Sequence, residues 1–75
     1  MPFIHIRSYS GRSLEDKQKA AQAIIKAASE TMGAPEAAFT VAFEDVERED
    51  WDSKVAQEII EPLRDFLIVE HGALV

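Results

Sequence analysis

Two kinds of residue in this 75-residue chain are placed to do chemistry: a proline at position 2, directly after Met1, and a small set of arginines. Once Met1 is removed, Pro2 presents a secondary amine built into a rigid ring. Its lone pair can serve as a general base or a nucleophile. A small residue after Met1 favours that removal, and removal is the expectation here. With Met1 in place, the Pro2 nitrogen is a tertiary amide without basicity. Taken alone, a second-position proline more often does no more than precede a strand, where its missing N–H costs nothing. The arginines matter because the chain is acidic, with 8 Lys+Arg against 14 Asp+Glu and a formal net charge of −6. That balance argues against general nucleic-acid binding, which needs basic patches. Any anionic ligand must be drawn by local cations, and the arginines available are Arg7, Arg12, Arg48 and Arg64.

The elements that must position these groups are legible in the periodicity. Phe3 to Tyr9 alternates, with Ile4 and Ile6 on one side and Phe3, His5 and Arg7 on the other, as a strand requires. After Gly11, Ser13 is a good N-cap, and Asp16 three residues on completes an acidic variant of the capping box. Ala21, Ile24, Ile25, Ala28 and Met32 recur at helical spacing and predict a helix over 14–32 with one core stripe. Gly33 suits the position after the helix, and Pro35 cannot continue it. Phe39 to Val46 alternates again, with Phe39, Val41 and Phe43 on one face. A helix between two strands predicts a right-handed crossover and parallel strands. The acidic run over 44–50 reads as a solvated connection. Val55, Ile59, Leu63, Phe66 and Leu67 then form a second helical stripe, and Pro62 predicts either a kink or two short helices meeting there. Residues 69–75 read as a tail, with His71 exposed.

The expected architecture is therefore α/β (α+β): one domain over 1–75, a single β-α-β unit with parallel strands and a C-terminal helical extension. A chain this short buries only about 60% of its unfolded surface, and it has no cysteine with which to form a disulfide. A two-stranded sheet also leaves both edges open. Self-association, which can extend the sheet to four strands, follows on physical grounds. No apolar run approaches a membrane span and no signal-peptide pattern opens the chain, so a cytoplasmic protein is expected, with no membrane or nucleic-acid partner. His5 and His71 lie 66 positions apart (71 − 5) without carboxylates at ligand spacing, and no metal is expected.

The order Pro2, short strand, Gly11-Arg12-Ser13, long helix, Ala34-Pro35, second strand resembles the tautomerase superfamily, specifically its 4-oxalocrotonate tautomerase-like members. Trp51, followed by an extension with Pro62 and an ending near Gly72, is similar to the dimeric PptA-type bacterial subgroup. The resemblance implies a cofactor-independent isomerase for enol–keto conversion of 2-oxo acids, assembled as a homodimer, with the hexamer of shorter relatives as the alternative. It gives Pro2 the role of general base and Arg12 that of carboxylate binder and electrophilic helper. Trp51 falls near the aromatic position that makes the site apolar. An apolar wall and a nearby cation both disfavour the ammonium form, bringing a basic proline amine towards neutral pH. Hexameric relatives carry a second arginine on the second strand, where this chain has Thr40. A monocarboxylate substrate such as an aryl pyruvate is therefore favoured, with Arg48 a candidate substitute unless Glu47, Glu49 and Asp50 pair with it. Arg7 and Arg64 carry no expectation beyond surface charge or pairing between subunits. Two functional readings stand at this point: a tautomerase, or a catalytically inactive oligomeric binding module of the same fold.

Overall fold

A computed structural model describes all 75 residues. Strand β1 (Phe3–Tyr9) leads through a short loop to helix α1 (Leu14–Met32), and β2 (Thr40–Val46) returns parallel to β1. The register pairs Phe3 with Thr40, Ile6 with Phe43 and Tyr9 with Val46. A π-helix over Asp52–Ile60 and a 3₁₀ segment over Glu61–Phe66 follow. The chain ends in a two-residue-per-strand antiparallel hairpin, β3 (Val69–Glu70) and β4 (Ala73–Leu74). No helix is long and apolar enough to cross a membrane.

Helix α1 begins where its cap dictates. The Ser13 hydroxyl accepts from the Asp16 N–H at 3.1 Å, and Glu15 and Asp16 place negative charge in the first turn. Gly33, at φ 72°, closes the helix with its N–H bonded to the Ser29 carbonyl.

The register sorts the strand residues into two faces. Ile4, Ile6 and Ser8 lie with Val41, Phe43 and Asp45, and helix α1 covers this side, since Lys17 reaches Asp45 at 3.2 Å and stands 6.0 Å from the Phe43 ring centre. Phe3, His5, Arg7 and Tyr9 share the other face with Thr40, Ala42, Glu44 and Val46. The C-terminal helical segment packs on the far end of that second face, where the Arg7 guanidinium donates to the Lys54 carbonyl at 3.3 Å. Its near end, around Phe3, stays open.

Only Phe39, Val46 and Val55 are buried. The predicted core stripe of α1 is corrected accordingly: Ala21, Ile25 and Ala28 are half-buried, whereas Ile24 and Met32 are exposed. A two-stranded sheet is about 5 Å between strand axes and too narrow to cover a full helical stripe. Phe66, Ile68 and Leu74 are 77%, 72% and 81% exposed, so the C-terminal segment leaves large apolar side chains at the surface. Pro62 acts as expected of a residue without an N–H, with the π-helix giving way to the tighter 3₁₀ segment at Glu61. The stretch read as a tail is instead the β3–β4 hairpin, too short for its alternation to show in sequence. The run over 44–50 is only in part the expected solvated connection: Glu44, Asp45 and the buried Val46 end β2, and the rest is tethered through Ser10–Glu47 and Lys54–Asp50.

Val55 is the most enclosed side chain, at 5% exposure. Val55→Ala should lower unfolding free energy by about 1–3 kcal/mol, and Ser13→Ala by about 1 kcal/mol through loss of the cap. Urea denaturation of each variant checks both, with an unchanged slope expected.

Candidate active site

The residues singled out from sequence fall into two groups at opposite ends of β1. At the first end stands Pro2, half-buried, its carbonyl accepting the Thr40 N–H at 3.1 Å. Parallel pairing puts the start of β2 beside the start of β1, which is why Thr40 and Pro2 are neighbours. At the other end, beyond the seven residues and about 20 Å of β1, lie Arg12, Arg48 and Trp51. Within one protomer, Pro2 and Arg12 do not meet.

The Arg12 end is the more elaborate. The Tyr9 ring meets Trp51 edge to face, with ring centres 5.0 Å apart and planes at 73°. The Arg48 guanidinium lies 4.6 Å from the centre of the Tyr9 ring, a cation–π contact. Glu47, Glu49 and Asp50 leave Arg48 unpaired despite following and preceding it in sequence. Ser10 ties the β1–α1 loop to Glu47 at 2.8 Å through its hydroxyl and to the Val46 carbonyl at 3.1 Å through its N–H. Gly11, at φ 127°, then turns the chain so that Arg12 follows at the loop tip. Ser8, Tyr9, Arg12, Trp51 and His71 line a cavity of about 350 Å³.

The disposition of charge separates the arginines. Arg7 pairs with Glu44, and Arg64 pairs with both Glu61 and Glu70. Those two carboxylates, accepting from Arg64, raise its pKa still further above the ordinary arginine value. Arg12 and Arg48 have no carboxylate partner. In a chain with 14 acidic side chains, the two arginines left free both stand by the Tyr9–Trp51 cluster. An unpaired guanidinium beside an aromatic wall suits a planar carboxylate.

A family model described as Tautomerase enzyme matches residues 2–54. The chain belongs to the tautomerase family. The match spans Pro2, β1, α1, β2 and Trp51, and isomerase chemistry is the general activity of this family. It ends before most of the C-terminal segment, which supplies His71 to the Arg12 cavity and lines a second cavity of about 550 Å³ with Ala56, Ile60, Leu67 and Val69. Trp51 and His71 border both cavities. From sequence, His71 read as an exposed tail residue; it is exposed, and the structure also brings it to the Arg12 cavity. A His-Gly pair between two short apolar stretches is the only local sign of the turn that carries His71, and Tyr9 read simply as a strand residue.

Trp51 is the sole tryptophan, so its fluorescence reports this cluster. Titration with phenylpyruvate should quench it. Arg12→Ala should weaken that binding about ten- to a hundredfold, the loss of a charge-assisted hydrogen bond. Lys26→Ala, which removes an equally unpaired but distant cation on α1, should leave the titration unchanged.

Proposed function

We propose that the protein is a cofactor-independent tautomerase that interconverts the enol and keto forms of a monocarboxylate 2-oxo acid, with the Pro2 amine as general base once Met1 is removed. The observation that carries this reading is an unpaired Arg12 in a cavity walled by Trp51, in a chain of the tautomerase family. In ketonisation, the amine takes the proton from the enol oxygen and delivers it to C3 of the substrate. The net change is one proton moved from oxygen to carbon, with nothing oxidised or reduced. Arg12 holds the carboxylate and offsets the charge that builds on the oxygen. Thr40, the side chain beside Pro2, has no charge with which to bind a second carboxylate, which supports a substrate with only one.

A homodimer is part of the proposal, because Pro2 and Arg12 lie at opposite ends of β1. A two-fold axis that joins β1 edges runs the two strands antiparallel and brings the start of one β1 to the end of the other. Pro2 of one protomer then faces the partner's Arg12 and the partner's Trp51. The cation and the apolar wall both disfavour the prolinium form and make the amine a usable base near neutral pH. The same pairing covers the open edge of the sheet and the exposed Phe3, an independent stabilisation that fits the dimeric subgroup with this type of C-terminal extension.

Intact mass should show a chain beginning at Pro2. Pro2→Ala should cut the rate of phenylenolpyruvate ketonisation by about 10²-fold or more. Mixing Pro2→Ala with Arg12→Ala protein, through a denaturation and refolding cycle, should restore about a quarter of wild-type activity. Half of the randomly formed dimers are then mixed, each with one intact site of two. An unaffected Pro2→Ala rate would return the protein to the inactive binding-module reading. Failure of the mixture to regain activity would overturn the shared site.

A further inference from the structure

The β3–β4 hairpin delivers one side chain to the Arg12 cavity from outside the family-matched region. Glu70 pairs with Ala73, so the loop between them is two residues long, His71 and Gly72. Both have positive φ, 51° and 81°, the signature of a type I′ hairpin turn. Glycine meets that demand at position 72 without steric cost. His71 is the only non-glycine residue in the chain with positive φ. Asparagine is the usual choice at its position, so the local turn chemistry does not call for an imidazole. Strained backbone of this kind gathers at ligand sites.

The surroundings show what the imidazole faces. It lines the 350 Å³ cavity with Arg12 and Trp51, and it also borders the 550 Å³ cavity whose walls include Ala56, Ile60, Leu67 and Val69. His71 and Trp51 thus stand where the Arg12 cavity adjoins a larger one, whose apolar wall faces the mutually paired Arg64, Glu61 and Glu70. Neither ring nitrogen of His71 bonds to a protein group, in contrast to His5, which is engaged by Glu44. The hairpin itself is held in place. Arg64 grips Glu70, the residue before His71, at 2.7 Å, and the Val75 N–H bonds to the Ile68 carbonyl at 2.9 Å.

We propose that His71 is a substrate-contacting residue that makes the site selective for 2-oxo acids with a bulky apolar substituent. With the substrate carboxylate on Arg12, the His71 ring N–H donates a hydrogen bond to a substrate oxygen. The substituent then passes between the His71 and Trp51 rings into the larger cavity, against its Ala56, Ile60, Leu67 and Val69 wall. This assignment rests on the tautomerase reading, and it places the selective element in the C-terminal extension instead of on β2, where Thr40 offers no charge.

The decisive variant is His71→Asn, because asparagine is the preferred residue for this turn. Its melting temperature should equal or exceed that of the wild type, while KM for phenylenolpyruvate and Kd for phenylpyruvate, read from Trp51 fluorescence, rise about tenfold. Pyruvate, which has no bulky substituent, should bind the wild type at least about tenfold more weakly than phenylpyruvate. His71→Gly, equally compatible with the turn, should reproduce the losses. A stable His71→Asn protein with unchanged KM and Kd, beside an active wild type and an inactive Pro2→Ala, would overturn the His71 assignment alone. A wild type that neither binds phenylpyruvate nor ketonises phenylenolpyruvate would overturn both this assignment and the tautomerase reading.

Discussion

In a parallel crossover both strands run in the same direction, so whatever precedes them gathers at one end and whatever follows them at the other. Everything about the candidate site depends on this. Pro2 and Thr40 precede their strands and become neighbours. Arg12 follows β1, Arg48 and Trp51 follow β2, and these three stand near one another across the Tyr9 ring. The seven-residue strands keep the two groups about 20 Å apart. In the proposed reaction, the fold that assembles each group therefore keeps one chain from bringing the two together. A chain with three buried residues also leaves apolar surface that a partner could cover. Stability and the proposed chemistry make the same demand, and the proposed symmetric interface would meet both.

Electrostatics works locally in this molecule. Its net charge of −6 repels an anionic substrate at long range, and that repulsion is screened beyond about 8 Å at physiological ionic strength. What draws a carboxylate is a cation with no competing carboxylate nearby. Most basic side chains are occupied: Arg7 by Glu44, Lys17 by Asp45, Lys54 by Asp50 and Arg64 by two acids. These exposed pairs add little stability individually. Their larger effect is to tie strands, helix and hairpin together while engaging acids that would otherwise compete for Arg12 and Arg48.

The pattern residues made much of this legible in advance. Ser13, Gly33 and the stripe between them fixed α1, and two alternating segments separated by one helix required parallel strands. Pro2 stood out by residue type, whereas Arg12 and Trp51 took their expected roles from the family resemblance. The sequence could not show that Pro2 and Arg12 lie apart within a chain, since nearness in sequence says nothing of which strand end a residue occupies until register is known. The hairpin escaped because two residues per strand carry no periodicity. Ile24 and Met32 were misplaced in the core because a helical stripe records what the helix can bury, whereas the width of the sheet decides what it does bury.

The C-terminal segment has the least regular backbone in the molecule and borders the most chemistry. A π-helix is wider than an α-helix and is rarely kept without a reason in function. Here it carries Ala56 and Ile60 into the wall of the larger cavity and Val55 into the core. The following 3₁₀ segment sets Arg64 against Glu70, and that contact anchors the hairpin whose turn holds His71. These irregular steps place Ala56, Ile60, Arg64 and His71 around the cavity that Trp51 borders. Residues 2–54 supply the proline, the cation and the strands, which are the parts common to the family. The residues after them shape the space beside Arg12. On the proposed reading, the β-α-β unit sets the reaction, and what the extension packs against it sets the choice of substrate.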